Sequence, residues 1–313
     1  MMSRYLNIPN KYDICLSMTW YPGKPHRISG HVFEILDYYI ILSNIYNVCI
    51  LFGDTFTTWS ELHDVILTKY DLSSAQLQQI KQSTYIQDKP KYIKGSNILF
   101  VDGDLHRLKT QGTKLIFDNI FAFKCSKYDT LYDVPYDVHI LQDDRVYRDC
   151  NPEDTELSIN YKKKINFDIL KSIKPDKPNV ALLYATINCR DIESTTLHEI
   201  IETMDFDEYI LVSEHPERYV HERVSGVKPP VSDIFNKIRA FIYTPLAGRF
   251  DGSPRLPAEC KYYDLETIYY NITDEYLKHD TGLYWRKFDI ENDFSSLFLT
   301  SDDNIFNILA THI

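Results

Sequence analysis

Glycine is scarce, with 10 in 313 residues, far from the one-in-three of a collagen repeat. Long apolar runs are missing too. Nothing approaches the ~18 to 20 consecutive apolar residues that span a membrane. Met1–Asn10 has neither the basic start nor the continuous apolar stretch of a signal peptide. The expectation is a cytoplasmic protein with no membrane partner. Positive charge is in deficit: 34 Lys and Arg against 45 Asp and Glu give a net charge of −11. The molecule as a whole therefore repels polyanions, and a nucleic-acid partner must meet a local basic face. The 6 cysteines, at 15, 49, 125, 150, 189 and 260, show no C-x-x-C spacing, so neither disulfides nor zinc are expected and several act as small hydrophobes. No P-loop, G-x-G-x-x-G, Ser-His-Asp motif or His-rich cluster occurs.

What is present describes a folded α/β protein. Hydrophobic residues make up 44% and charged residues 25%, and at roughly 150 residues per domain the length suits two domains. Tyr12–Thr19 reads as a buried strand, followed by a loop holding Gly23 and Gly30, a helix over His31–Ser43 and a strand over Asn47–Gly53. Helices are expected over Leu62–Tyr70 and Asp71–Gln82, and strands over Asn97–Val101, Thr113–Phe117, Ala122–Cys125 and Tyr136–Leu141. Apolar density falls from Asn151 to Pro178, where Lys162-Lys163-Lys164 reads as a linker surface. Alternation then resumes: strand Asn179–Tyr184, helix Ser194–Met204, strand Tyr209–Val212, helix Val231–Lys237, strand Ala240–Tyr243. Alternating strands and helices demand parallel sheets, so two doubly wound domains are expected, 1–175 and 176–313, with the last helix able to pack back on the first. Such sheets bind ligands outside the carboxyl ends of their strands.

Two stretches concentrate chemistry there. In the first, Tyr243 to Cys260, Arg249 and Arg255 offer guanidinium forks to phosphate oxygens at the start of a helix. Glu259 lies one helical turn after Arg255, where its carboxylate can meet ribose hydroxyls or form a structural ion pair with that arginine. In the second, the strand Ile98–Val101 ends in Asp102-Gly103-Asp104 with His106 and Arg107 on the same turn. These groups suit a general base, a metal clamp or a capped turn. Ser213-Glu214-His215, His26, Arg27 and Asp143-Asp144-Arg145 are lesser polar clusters.

Two Rossmann-like halves with Ser253-Pro254-Arg255-Leu256-Pro257-Ala258-Glu259-Cys260 late in the second resemble glycosyltransferases of the GT-B fold. So do Tyr269-Tyr270 and Asp280-Thr281-Gly282-Leu283 with Arg286 and Asp289, and the pattern is similar to phage-type enzymes that decorate hydroxymethylated bases in DNA. The resemblance implies two domains facing across a cleft, an acceptor-binding N-terminal domain and a C-terminal domain for a UDP-sugar, UDP-glucose first. It implies donor-binding roles for Arg255, Glu259, Arg249, Arg190 and Gly30, and catalytic roles for Asp102, Asp104 and His106. It also implies activity without a bound metal, in a host cytoplasm if the source is viral. Two other readings stay open. One is a metal-dependent GT-A-like enzyme that uses Asp102 and Asp104 on a saccharide or small molecule. The other is a non-catalytic nucleotide-binding or interaction protein.

Overall fold

The computed structural model describes residues 5–18, 30–53, 56–87, 90–103, 105–110, 112–124, 136–146, 158–174, 177–185, 194–229, 231–244, 252–278 and 281–313. The chain divides into two compact units: residues 1–67, 72–169 and 294–313 form the first, and residues 68–71 and 170–293 the second.

The first unit runs β1 (Tyr5–Asn7), β2 (Ile14–Ser17), α1 (Gly30–Leu42), β3 (Val48–Phe52), α2 (Trp59–Lys69), α3 (Ser74–Ser83), β4 (Thr84–Ile86), β5 (Tyr92–Lys94), β6 (Asn97–Phe100), α4 (His106–Thr110), β7 (Lys114–Ile116), β8 (Asn119–Phe123), β9 (Val138–Gln142) and β10 (Ser158–Asn160). The last two residues of α2 belong to the second unit. β2, β3 and β6 are short apolar runs whose every residue is buried, which is the signature of a parallel strand covered on both faces. They lie at the middle of a seven-stranded parallel sheet ordered β10-β9-β8-β6-β2-β3-β4. Counted from β2 along the chain this is 3-2-1-4-5-6-7, a doubly wound order whose switch point falls between β2 and β6. A three-stranded parallel sheet, β1-β5-β7, packs Ile93 and Leu115 into the same core as Cys15, Phe100 and Ala122. α3 starts at a reciprocal cap: Gln76 N donates to Ser73 Oγ, and Ser73 N donates to Gln76 Oε1 at 2.9 Å.

The second unit runs β11 (Val180–Ala185), α5 (Ser194–Thr203), β12 (Glu208–Ser213), β13 (Val224–Val227), β14 (Ala240–Tyr243), α6 (Arg255–Tyr262), β15 (Glu266–Tyr269), α7 (Asp274–Leu277) and α8 (Thr281–Asn292), after which α9 (Ile305–His312) belongs to the first unit. Its five strands are parallel in the order β13-β12-β11-β14-β15. That is 3-2-1-4-5, with the switch point between β11 and β14. Both units are therefore α/β and Rossmann-like. Ala181, Leu183, Leu197, Ile200, Leu211 and Ile242 form the second core.

Two expectations need correction. The helix expected over Val231–Lys237 is a single 3-10 turn, Ile234–Asn236, because Asp233 sits in the left-handed region at φ 54°, which a helix cannot pass through. The lysine trio is no linker surface. Burial alternates along residues 161–165: Tyr161, Lys163 and Ile165 are buried while Lys162 and Lys164 are not. Ile165 is held by main-chain bonds to Leu297 and Leu299, Lys162 Nζ donates to Ser296 Oγ at 2.8 Å, and Lys164 pairs with Asp303. The partners lie over 130 residues away in the chain, beyond the reach of local composition. Cys15, Cys49 and Cys260 are buried free thiols.

Candidate functional site

A doubly wound sheet opens a crevice at its switch point because the neighbouring crossovers leave toward opposite faces there. In the first unit the crevice lies after β2 and β6. β6 continues into Val101 and Asp102, both buried, and Val101 N donates to Ser17 O at 2.9 Å, tying the two strand ends together. The next described element after β2 is α1, whose second residue is His31.

His31, Glu34 and Lys163 form a compact ionic cluster. His31 Nδ1 lies 2.6 Å from Glu34 Oε2, and Lys163 Nζ lies 2.6 Å from the same oxygen. Lys163 Nζ also donates to Val101 O at 2.6 Å and stands 3.5 Å from His31 Nδ1. Glu34 and Lys163 are buried, whereas the His31 side chain keeps 27% of its exposure. Burial pushes the Glu34 carboxyl up, but the charges of Lys163 and His31 outweigh it and hold the group well below its ordinary range. Glu34 is thus an anion that can only accept, so Nδ1 of His31 carries a hydrogen, and when the ring is neutral Nε2 holds the lone pair. Burial pulls the His31 imidazole down and Lys163 opposes its charge. The charge and hydrogen bond of Glu34, with Asp102 adding to them, win, and His31 titrates above its ordinary value. An imidazole oriented by a carboxylate is an arrangement that removes a proton from a hydroxyl.

The sequence points to Gly30 and passes over His31, Glu34 and Lys163. A signal exists: His and Glu three apart at the start of a helix share a face, and the apolar Tyr161 and Ile165 flank Lys163 at alternate positions. Gly30 opens α1, and a Cβ added there meets nothing within 4 Å. Asp102 is buried beside the cluster, within electrostatic range of His31. His106 starts α4, half-buried. Asp104 lies outside the described residues.

At the switch point of the second unit, β14 ends at Tyr243 and Thr244. The hydroxyl of Thr244 is buried with no hydrogen-bond partner among the described residues. Arg190 and Arg249 lie outside the described residues. Arg255 and Glu259 are brought together on α6. Arg255 Nε lies 2.5 Å from Glu259 Oε1, and one Arg255 Nη donates to the Tyr70 hydroxyl at 3.1 Å. Lys69 Nζ reaches both oxygens of Glu259, at 3.0 and 2.8 Å. Glu259 has no exposed surface. Burial pushes its carboxyl up, but Lys69 and Arg255 together bring it below its ordinary value. The ion pair that the spacing allowed is therefore a closed, buried network. Gly252 touches α8: a Cβ on Gly282 would come within 2.8 Å of Gly252 Cα. Arg286 and Asp289 are buried on α8.

The lesser clusters are local. Arg145 Nε donates to Asp143 at 2.9 Å within one turn. Ser213 is buried and accepts from His215 N at 3.0 Å, while His215 pairs with Glu217 at 3.2 Å on an exposed surface, a contact worth little. His26 and Arg27 lie outside the described residues. Among the described residues no group of three or more His, Cys, Asp or Glu is placed to hold a metal ion, and no helix is long and apolar enough to cross a membrane.

No protein-family model and no curated protein matches the sequence. Among solved structures, the chain aligns with the crystal structure of MurG from Acinetobacter baumannii at 12% identity and a TM-score of 0.36, over 97% of this chain and 90% of that one.

Proposed function

We propose that the protein is a glycosyltransferase of the GT-B type that moves a sugar from a UDP-sugar to a hydroxyl. UDP-glucose is the first donor to try and a hydroxymethylated base in phage DNA the first acceptor. One observation carries this reading: a half-open histidine, oriented by a buried ionised glutamate, at the switch point of a doubly wound sheet. His31 Nε2 takes the proton of the acceptor hydroxyl as the oxygen attacks the sugar. Glu34 holds the ring and stabilises the imidazolium that forms, while Lys163 holds Glu34. Asp102 supports the same positive charge.

The donor belongs to the second unit in this reading. The charge of the departing UDP is stabilised without a bound metal by the N-terminus of α6, which Arg255 opens, together with Arg249 and Arg190. Glu259 serves by holding Arg255 in place rather than by meeting ribose, since both of its oxygens are taken.

The experiment is to follow UDP release from UDP-glucose with and without hydroxymethylated DNA, adding EDTA in a parallel series. Acceptor-dependent release that survives EDTA and is lost in His31→Gln supports the proposal. Activity that EDTA abolishes and Mn²⁺ restores would favour the Asp102 and Asp104 metal reading. Nucleotide binding without turnover on DNA, saccharide or small-molecule acceptors would favour a non-catalytic binding protein.

A further inference from the structure

The three-stranded sheet of the first unit turns one face to solvent. Its register aligns Tyr5, Tyr92 and Lys114 in one row and Asn7, Lys94 and Ile116 in another. Side chains alternate along each strand, so these six point outward while Ile93 and Leu115 enter the core. Tyr5, Tyr92 and Ile116 are 45%, 39% and 46% exposed, three of the nine large apolar side chains exposed among the described residues. Such a concentration on nine residues marks a surface with a use. The Tyr5 and Tyr92 rings lie 6.1 Å apart, and Lys114 Nζ lies 5.9 Å from the centre of the Tyr92 ring. Lys91, also exposed, precedes β5. None of the six outward positions is acidic, in a chain of net charge −11.

We propose that this face binds single-stranded nucleic acid. Flat tyrosine rings accept unpaired bases whatever their sequence, and lysines beside them meet the phosphates. A second copy presenting the same face would set lysine against lysine. A lipid surface calls for protruding aliphatic or tryptophan side chains, and of the six only Ile116 is of that kind. The inference goes beyond the transferase reading and does not depend on it, because an oligonucleotide binds here whether or not it is glycosylated. If DNA is the acceptor, this face is the local basic surface that the net charge requires.

The test titrates the full chain against a fluorescein-labelled oligothymidylate of about 20 nucleotides by anisotropy at several salt concentrations. Two variants run beside it: Tyr5→Ser with Tyr92→Ser, and Lys94→Gln with Lys114→Gln. Circular dichroism checks that each is folded. The tyrosine variant is expected to bind at least about tenfold more weakly. The lysine variant is expected to flatten the slope of log K against log salt by about 1.4, at ~0.7 per lost phosphate contact. The proposal is overturned if the parent chain does not bind, or if both variants bind as the parent does. It is also overturned if phosphatidylserine vesicles, and not the oligonucleotide, bind the parent and release the variants. UDP release is measured on the same proteins: a parent chain that binds the oligonucleotide without turnover counts against the transferase reading alone, and turnover without binding counts against this face alone.

Discussion

The two units bury the same device at comparable places and leave it in different states. In each, a carboxylate on the helix after a switch-point loop is neutralised by cations: Glu34 by Lys163 and His31, Glu259 by Lys69 and Arg255. Glu259 meets only groups that stay charged near neutral pH, and it is sealed. Glu34 meets a histidine that keeps part of its surface open, so one partner can gain or lose a proton in the physiological range. A buried ion pair is weak grounds for stability in itself. What distinguishes the pairs is whether a proton can leave: the second cluster holds a shape, and the first can do chemistry.

The largest expected effect tests the chemical half of that contrast. His31→Gln keeps a donor for Glu34 and removes the base, so kcat should fall about 10²- to 10⁴-fold while UDP affinity and the thermal transition stay near those of the parent. Retained turnover would erase the difference between the clusters. pH sharpens it further. His31 must be unprotonated to act, so kcat should rise with pH and level off above a value higher than the ordinary 6.5. The stability linked to His31 runs the other way. It is fully present below 6.5, where the imidazolium faces Glu34, and fades as pH climbs through the raised folded-state value. Urea midpoints measured across this range should therefore decline where activity rises.

The structural half predicts that Glu259→Gln costs about 3 to 5 kcal/mol, because Lys69 and Arg255 are left facing each other without a counter-charge. Urea denaturation should show the loss, and an unchanged midpoint would mean that the network is dispensable. Gly282→Ala should cost a smaller ~1 to 3 kcal/mol, since the added methyl meets the backbone of Gly252 rather than a side chain that can swing away. Lys163→Met shifts the activity profile by the smallest margin. The lysine's charge opposes that of His31, so the midpoint of the kcat profile should move up in pH, while the loss of Glu34's buried counter-charge also lowers the urea midpoint. A kcat midpoint that stays put would separate Lys163 from the histidine.

The parts of the fold legible in the sequence were those written locally. Apolar runs such as Val48–Phe52 and Ala240–Tyr243 announce buried strands, and their spacing with helices announces parallel sheets. The strands β2, β6 and β14, after which the sequence places its polar candidate residues, border the two switch points. Strands such as β13, with Gly226 in a half-exposed run, carry too little hydrophobic pattern to stand out. The candidate base was missed for a different reason. Nothing within His31–Glu34 shows that Lys163, over 130 residues later, completes it, and Lys163 reads as solvated because its neighbours Lys162 and Lys164 are lysines too. A charge run loses its meaning when burial alternates along it, as it does here.

The return of residues 294–313 to the first unit has a consequence for how the protein is made. Ile165 takes its main-chain partners from Leu297 and Leu299, Lys164 its counter-charge from Asp303, and Phe167 packs on Phe294 and Phe298. A ribosome delivers all of residues 170–293 before any of these. The second unit needs only residues 68–71 besides this stretch, and those are already made, so it can fold while the first waits with an unsealed edge. Segments emerge N-terminal first and domains fold as units, so the half that begins synthesis is the half that finishes folding last. During that interval residues 161–165 lack the partners that bury and neutralise them.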